Sequence, residues 1–324
     1  MNKNNIKRKV KKKAKKALVN KKKSNNRLMG AIATIAVAAI AIFFYRDDIG
    51  NFLNNDRVYR EYLEDGYTLV HFIDIGQGDA VLIQTLNGSV LIDGGDNHTA
   101  SLLEDYLRRV GISEVTYMIA THPHADHIGG LANVMDNFLV HRIIAPDVTH
   151  TTLTFERFVD AIERNDIYLQ RAVVGDTFNV DNVDFLIIHP NNSGYSNLND
   201  YSVSVRVEIG DVSFIFTGDA ETIAEQEMVN LQYEHLNADI LHVGHHGSST
   251  STIPSFLEAV NPEIAIINVG RNNRYNHPHS SVMNRLEDIN ARIYRTDMQG
   301  HIVLATNGNN VHITTQYEMH PDFN

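Results

Sequence analysis

Hydrophobic positions along this chain follow two regimes. The first is one unbroken block, Leu28–Tyr45, that contains no charged residue. Eighteen helical residues span about 27 Å, close to the roughly 30 Å hydrocarbon core of a bilayer, so the block predicts a single transmembrane helix. From Tyr67 onward the apolar residues come in short runs instead. Thr68–Ile75, Ala80–Thr85, Ser89–Ile92 and Val115–Ala120 are bounded by Gly, Asp and Asn turns and read as strands, as do 183–188, 203–209, 212–216, 238–243 and 264–269. Helical spacing appears near Thr99–Val110, Thr154–Arg164, Ala220–Leu231 and Ser280–Asn290. Strands leading and helices following, twice over, predict an α/β fold of two sheets sandwiched between helices.

Charge divides the chain at the same place. The formal net charge is −11, yet residues 1–27 hold 13 of the 28 Lys and Arg and no acid. The remainder carries 15 cations against 39 acids, a balance of −24, and has no lysine after Lys23. Residues 1–27 cannot bury enough apolar surface to fold and read as a disordered basic tail. With that charge before the apolar block and Asp47 and Asp48 after it, the tail is expected to be cytoplasmic and the rest to lie outside the membrane. A cleaved signal peptide, and hence secretion, is the alternative. Against it, the block ends in Phe43-Phe44-Tyr45-Arg46 rather than in small residues. Residues 46–66 read as a polar, partly helical connector, and 67–324 as one large domain. So acidic a domain repels polyanions unless arginines gather locally or divalent cations intervene, which excludes a general nucleic-acid coat protein.

Cysteine is absent, which removes disulfides, thiolate ligands and thiol nucleophiles together. A metal would have to be held by imidazole and carboxylate. Directly after the strand ending at Ala120, His122-Pro-His124-Ala-Asp126-His127 packs three imidazoles and a carboxylate into six residues. That density suits zinc, manganese or a similar divalent ion. In a turn leading into a helix, His122 and His124 can face one metal while Asp126 and His127 reach a second. Asp74, Asp79 and Asp93 are expected to support ligands or turns rather than bind metal. Asp93, before Gly94-Gly95, can accept a hydrogen bond from a ligand imidazole and fix its tautomer; Asp-Gly is also ordinary turn chemistry.

The stretch resembles the His-x-His-x-Asp-His motif of the metallo-β-lactamase superfamily, and from Tyr67 to Thr306 the chain is similar to the C-terminal domain of ComEC-type competence proteins. Phe72-Ile-Asp-Ile-Gly-Gln-Gly-Asp79-Ala, Leu91-Ile-Asp-Gly-Gly95, Asn199-Asp-Tyr-Ser-Val203, Phe216-Thr-Gly-Asp-Ala220, Val243-Gly-His-His-Gly-Ser248 and Asn272-Asn-Arg-Tyr-Asn-His-Pro-His279 carry that likeness. The long multi-helix channel region of such proteins has no counterpart here. The resemblance implies a four-layer αββα sandwich with two divalent ions, zinc or manganese. It implies His122 and His124 on the first, Asp126 and His127 on the second, Asp219 bridging, and His246 as the late imidazole. His245 is a catalytic or substrate-binding candidate, and which of the pair binds metal stays open. Superfamily members usually have another His where Asn199 stands, so the first ion would be held more weakly or favour manganese; His189 is a possible substitute.

The implied reaction is hydrolysis by a hydroxide held between two ions, with Asp126 also taking the water proton. The implied substrate is a phosphodiester, with DNA foremost. Arg271, Arg274, His277 and His279 are the candidates to bind it, because guanidinium forks match phosphate oxygens and imidazole can protonate a leaving alkoxide. Three other readings stand beside this one: a phosphorylcholine esterase of the same fold, a lactonase or other carboxyl-ester hydrolase, and a non-catalytic accessory module at the membrane.

Overall fold

The computed structural model describes residues 58–317. The basic tail, the apolar block 28–45 and most of the connector lie outside that range. Among the described residues no helix is long and apolar enough to cross a membrane. The end of the expected connector is helical, α1 (58–64), and sets Leu63 into a small cluster with Leu69, Val303 and Ala305.

The first half of the domain contains β1 (Thr68–Phe72), β2 (Val81–Gln84), β3 (Ser89–Ile92), α2 (Ala100–Arg109), β4 (Glu114–Val115), β5 (Tyr117–Ile119), α3 (Ala125–Ile128), α4 (Leu131–Asn137), β6 (Leu139–Val140), β7 (Arg142–Ala145), α5 (Leu153–Arg164) and β8 (Tyr168–Arg171). The second contains β9 (Thr177–Val180), β10 (Val183–His189), β11 (Ser204–Ile209), β12 (Val212–Phe216), α6 (Thr222–Leu231), β13 (Ile240–His242), α7 (Pro254–Val260), β14 (Ile264–Ile267), α8 (Ser280–Asp288), β15 (Arg292–Arg295), α9 (Thr296–Gln299), β16 (Ile302–Thr306) and β17 (Val311–Thr315). One sheet runs β17-β16-β1-β2-β3-β5-β7-β8 and the other β15-β14-β13-β12-β11-β10-β9; β4 and β6 form a separate pair. Each large sheet is part antiparallel and part parallel, with β3, β5, β7 and β8 parallel in the first and β12 to β15 parallel in the second.

Alternation along the strands builds the layers. Val70, Phe72, Val81, Ile83, Val90 and Ile92 meet Val205, Val207, Phe214 and Phe216 between the sheets. The opposite faces of the first sheet, through Leu82, Leu91 and Met118, pack on Leu103 and Leu107 of α2, Leu131 and Val134 of α4 and Phe158 of α5. Ile215, Leu241 and Ala265 pack likewise on Met228 of α6, Phe256 of α7 and Leu286 of α8. The expected αββα layering is what the chain forms, because strands covered on both faces bury every residue.

Several expected strands are shorter than their apolar runs, 264–269 ending at Ile267 and 238–243 narrowing to Ile240–His242; in two others the cause is a hydrogen-bonded interruption. β1 stops at Phe72, since Gly76 donates its N–H to the Asp74 carboxylate (3.1 Å) and turns the chain while Ile73 and Ile75 pack under the helices. The run Val115–Ala120 splits at Thr116, whose backbone N–H and hydroxyl both bond Ser89.

Candidate metal centre

The parallel halves of the two sheets bring their C-terminal strand ends to a common edge, and the loops there carry the polar residues. Asp93 follows β3, His122–His127 follows β5, Asp219 follows β12, His245 and His246 follow β13, and Arg271–His279 follows β14. Two glycines permit the close approach. At Gly78 (φ +145°) an added Cβ would sit 2.4 Å from the Asp126 carbonyl oxygen, and at Gly218 (φ +54°) 2.9 Å from Thr121.

The hydrogen bonds fix which ring nitrogens face inward. The buried Asp93 carboxylate accepts the Thr121 N–H (2.8 Å), the Thr121 hydroxyl (2.6 Å) and His127 Nδ1–H (2.7 Å). His127 Nε2 therefore carries the lone pair. The Thr121 hydroxyl has spent its proton on Asp93, so it accepts from His122 Nδ1 at 3.1 Å and leaves His122 Nε2 without a proton, 3.0 Å from His124 Nδ1. His246 Nδ1 donates to the Asn268 carbonyl (3.0 Å), again freeing Nε2.

The freed atoms converge as two groups that a third overlaps. Single ligand atoms of His122, His124 and Asp219 lie within 4.8 Å of one another, and so do those of Asp126, His127 and His246; those of Asp79, His127 and Asp219 form the third. Asp219 spans the first two, with Oδ2 3.8 Å from His122 Nε2 and Oδ1 3.2 Å from His127 Nε2 and 3.8 Å from His246 Nε2. His127 Nε2, His246 Nε2 and Asp219 Oδ1 are buried yet make no hydrogen bond. Orphaned buried atoms are costly, and three lone-pair donors facing one space are what divalent cations satisfy. The all-nitrogen-and-oxygen donor set fits zinc or manganese.

The electrostatics agree. Burial would raise the Asp219 pKa, but His127, His246 and His245 outweigh it and hold the carboxyl well below its usual range. Burial would depress His127, but Asp219 and Asp93 hold it well above the usual value. Metal ions would replace the protons such pairs otherwise share.

The remaining expected residues distribute unevenly. Asp79 is buried, 3.3 Å from His246 Nδ1 and 3.7 Å from His242 Nε2, backing the second group; its backbone N–H bonds Asp126 O (3.1 Å). Asp74 holds the turn at Gly76. His189 stands apart from both groups, with Nδ1 donating to the Ser202 carbonyl (2.9 Å) and Nε2 3.2 Å from the Tyr195 hydroxyl. Asn199 Nδ2 donates to Glu221 Oε1 (2.9 Å), and its Oδ1 is buried without a partner. Arg271 points its Nε to the Asp297 carbonyl (3.1 Å), whereas Arg274 is exposed beside Tyr275, whose hydroxyl, followed by Asp126 and Asp96, raises its pKa. His277 lies between them and the centre, its ring centroid 5.6 Å from His245, 6.4 Å from His246 and 4.8 Å from His279. His279 Nδ1 accepts the Ser249 N–H (2.9 Å). Sequence reasoning missed Ser202, Glu221, His242 and Asn268, whose roles depend on loops far apart in the chain. It also missed His150, 6.0 Å from His124 by ring centroid.

Residues 73–271 match the Metallo-beta-lactamase superfamily. The chain is similar to ComE operon protein 3 of Bacillus subtilis (33% identical over 251 residues, 72% of this chain and 32% of the relative). It is also similar to competence protein ComA of Neisseria gonorrhoeae (29% over 236 residues, 70% of this chain and 30% of the relative). It spans about a third of these relatives' length. Among solved structures, the metallo-beta-lactamase fold protein YhfI of Bacillus subtilis shares the fold at TM-score 0.50 and 12% identity, covering 74% of this chain and 100% of that one.

Proposed function

This chain belongs to the metallo-beta-lactamase superfamily, and we propose that within it the protein is a two-metal phosphodiesterase of ComEC type that cleaves DNA. One observation carries the reading: the single carboxylate of Asp219 faces His122 with one oxygen and His127 and His246 with the other, and the exposed guanidinium of Arg274 is near enough to feel the charge of Asp126. The similarity to competence proteins supports a nucleic-acid substrate.

His122, His124 and Asp219 would hold the first ion and Asp126, His127 and His246 the second. When bound, the ions supply Lewis-acid polarisation and a water acidic enough to react at neutral pH. The chain's own residues do the rest. Asp93 and Asn268 lock the tautomers of His127 and His246. Asp126, held as a carboxylate despite burial because His246 and His127 outweigh it, would accept a hydrogen bond from the attacking water and orient it. Arg274 neutralises a phosphate oxygen, and His277, whose pKa burial and the neighbouring His245 and His246 push down to about 4, meets the leaving oxygen as a neutral imidazole that donates a hydrogen bond. We read residues 28–45 as the anchor that presents this domain outside the membrane, on the strength of the 13 cations before it.

The acidity after residue 27 favours a second reading, an esterase for a zwitterionic phosphorylcholine substrate. Turnover of single-stranded DNA, bis-nitrophenyl phosphate, nitrophenyl-phosphorylcholine and a lactone, each with manganese and with zinc, separates them. Cleavage of the first two supports the proposal; turnover confined to phosphorylcholine or lactone contradicts it.

A further inference from the structure

His245 and His246 are adjacent, yet their rings diverge, 6.2 Å apart by centroid and 64° between planes. The divergence comes from the backbone, since both residues are left-handed, at φ/ψ of 51°/43° and 54°/23°. Two such non-glycine residues in succession are strained and persist only where the surroundings determine them. Here His245 N–H donates to the Gly218 carbonyl (3.0 Å) and Ser248 N–H to the His245 carbonyl (2.8 Å). The turn sends His246 Nε2 toward Asp126 Oδ2 (3.5 Å) and Asp219 Oδ1 (3.8 Å). It sends His245 Nε2 to within 3.5 Å of Asp219 Oδ2, the oxygen that also faces His122.

The far side of His245 is held as well. Its Nδ1 lies 3.2 Å from Glu221 Oε1, the oxygen that accepts the Asn199 amide. Ligand atoms about 2.1 Å from one ion lie about 3–3.5 Å from each other, which is the spacing of His245 Nε2 from Asp219 Oδ2. We propose that His245 and His246 bind different metals: His245 supplies the imidazole that the first site lacks at Asn199, and the Asn199–Glu221 pair positions its ring. The assignment rests on the two-metal reading above.

The test is metal stoichiometry and affinity of the full chain, stripped by a chelator and titrated with Mn(II) and Zn(II), with bound metal measured by mass spectrometry and calorimetry. Wild type should take up two ions, His245→Ala and His245→Gln one each, and His246→Ala should lose the other ion. Glu221→Gln should weaken the first ion about tenfold, and Asn199→Ala should retain two. Circular dichroism melting of each variant confirms a folded chain. Two ions at wild-type affinity in both His245 variants, with one lost in Asn199→Ala, overturns the assignment and makes the buried Asn199 oxygen the ligand. Fewer than two ions in wild type overturns the two-metal reading and this assignment with it.

Discussion

Replacing Asp93 by Asn changes no volume and leaves an oxygen to accept from Thr121, but it puts an NH2 where His127 Nδ1–H now donates at 2.7 Å. Two donors cannot face each other, so His127 must move its proton to Nε2, the atom that lies 3.2 Å from Asp219 Oδ1 and would bind the second ion. A buried charge-assisted hydrogen bond of this kind is worth about 1.5–3 kcal/mol. At about 1.4 kcal/mol per tenfold, the second ion's affinity should fall roughly 10- to 100-fold. The Asp93 oxygen that accepts from His127 also accepts the Thr121 hydroxyl (2.6 Å), which in turn accepts from His122 Nδ1 (3.1 Å), so the change reaches His122 through Thr121 and the first ion should weaken as well. Calorimetric titration of the metal-free variant against a competing chelator resolves the two events, and a urea midpoint shows whether the fold survives. Unchanged affinity at both sites would refute the tautomer argument.

Arg274→Ala should lower kcat/KM on a phosphodiester about tenfold while leaving the metal content at two; the steady-state rate and elemental content check both halves. Phe216→Ala, which empties an inter-sheet position stacked on Phe72 at 6.0 Å, should cost about 3–5 kcal/mol in urea unfolding. Stability of the metal-free chain should depend on pH on both sides of mild acidity. His127 and His246 have folded pKa values raised above the ordinary 6.5, and Glu225 is pushed up to about 8 by burial, so their contributions fade as pH rises toward those values. Asp126 and Asp219 are depressed below 3.8, so theirs fades as pH falls through the acid range. The histidines that burial depresses, His71, His122, His277 and His301 among them, oppose this until they are neutral in the unfolded chain too, so the melting temperature with excess chelator should decline only from about pH 7.5 to 9, and added metal should reverse that decline; a flat profile over that range contradicts the pairing.

What the sequence disclosed follows the range of the interactions concerned. The His122–His127 turn and the strands of the inner layers were legible because their signals are local: ligand spacing within six residues, and apolar runs such as 212–216 and 264–269. The edge strands were not. β8 is exposed at Tyr168, Leu169 and Arg171 and so lacks the apolar run by which a buried strand announces itself. At the centre, Asp219 and His246 could be placed only through family resemblance, since both lie about a hundred residues from the turn. Glu221 followed a recognised segment yet drew no notice, because its partners, Asn199 and His245, are 22 and 24 residues away on different loops. His189 illustrates the converse: a histidine at a strand end looked available as a ligand, and its partners turned out to be the Ser202 carbonyl and the Tyr195 hydroxyl.

The central claim is that one carboxylate joins two metal sites that together hydrolyse a phosphodiester. Asp219→Ala tests it most directly, with bound metal and bis-nitrophenyl phosphate turnover measured on the same purified full-length protein. Two ions and measurable turnover in wild type, with turnover abolished and both ions weakened in the variant, is the predicted result. Turnover that survives Asp219→Ala, or a variant that keeps two tightly bound ions, would contradict the account.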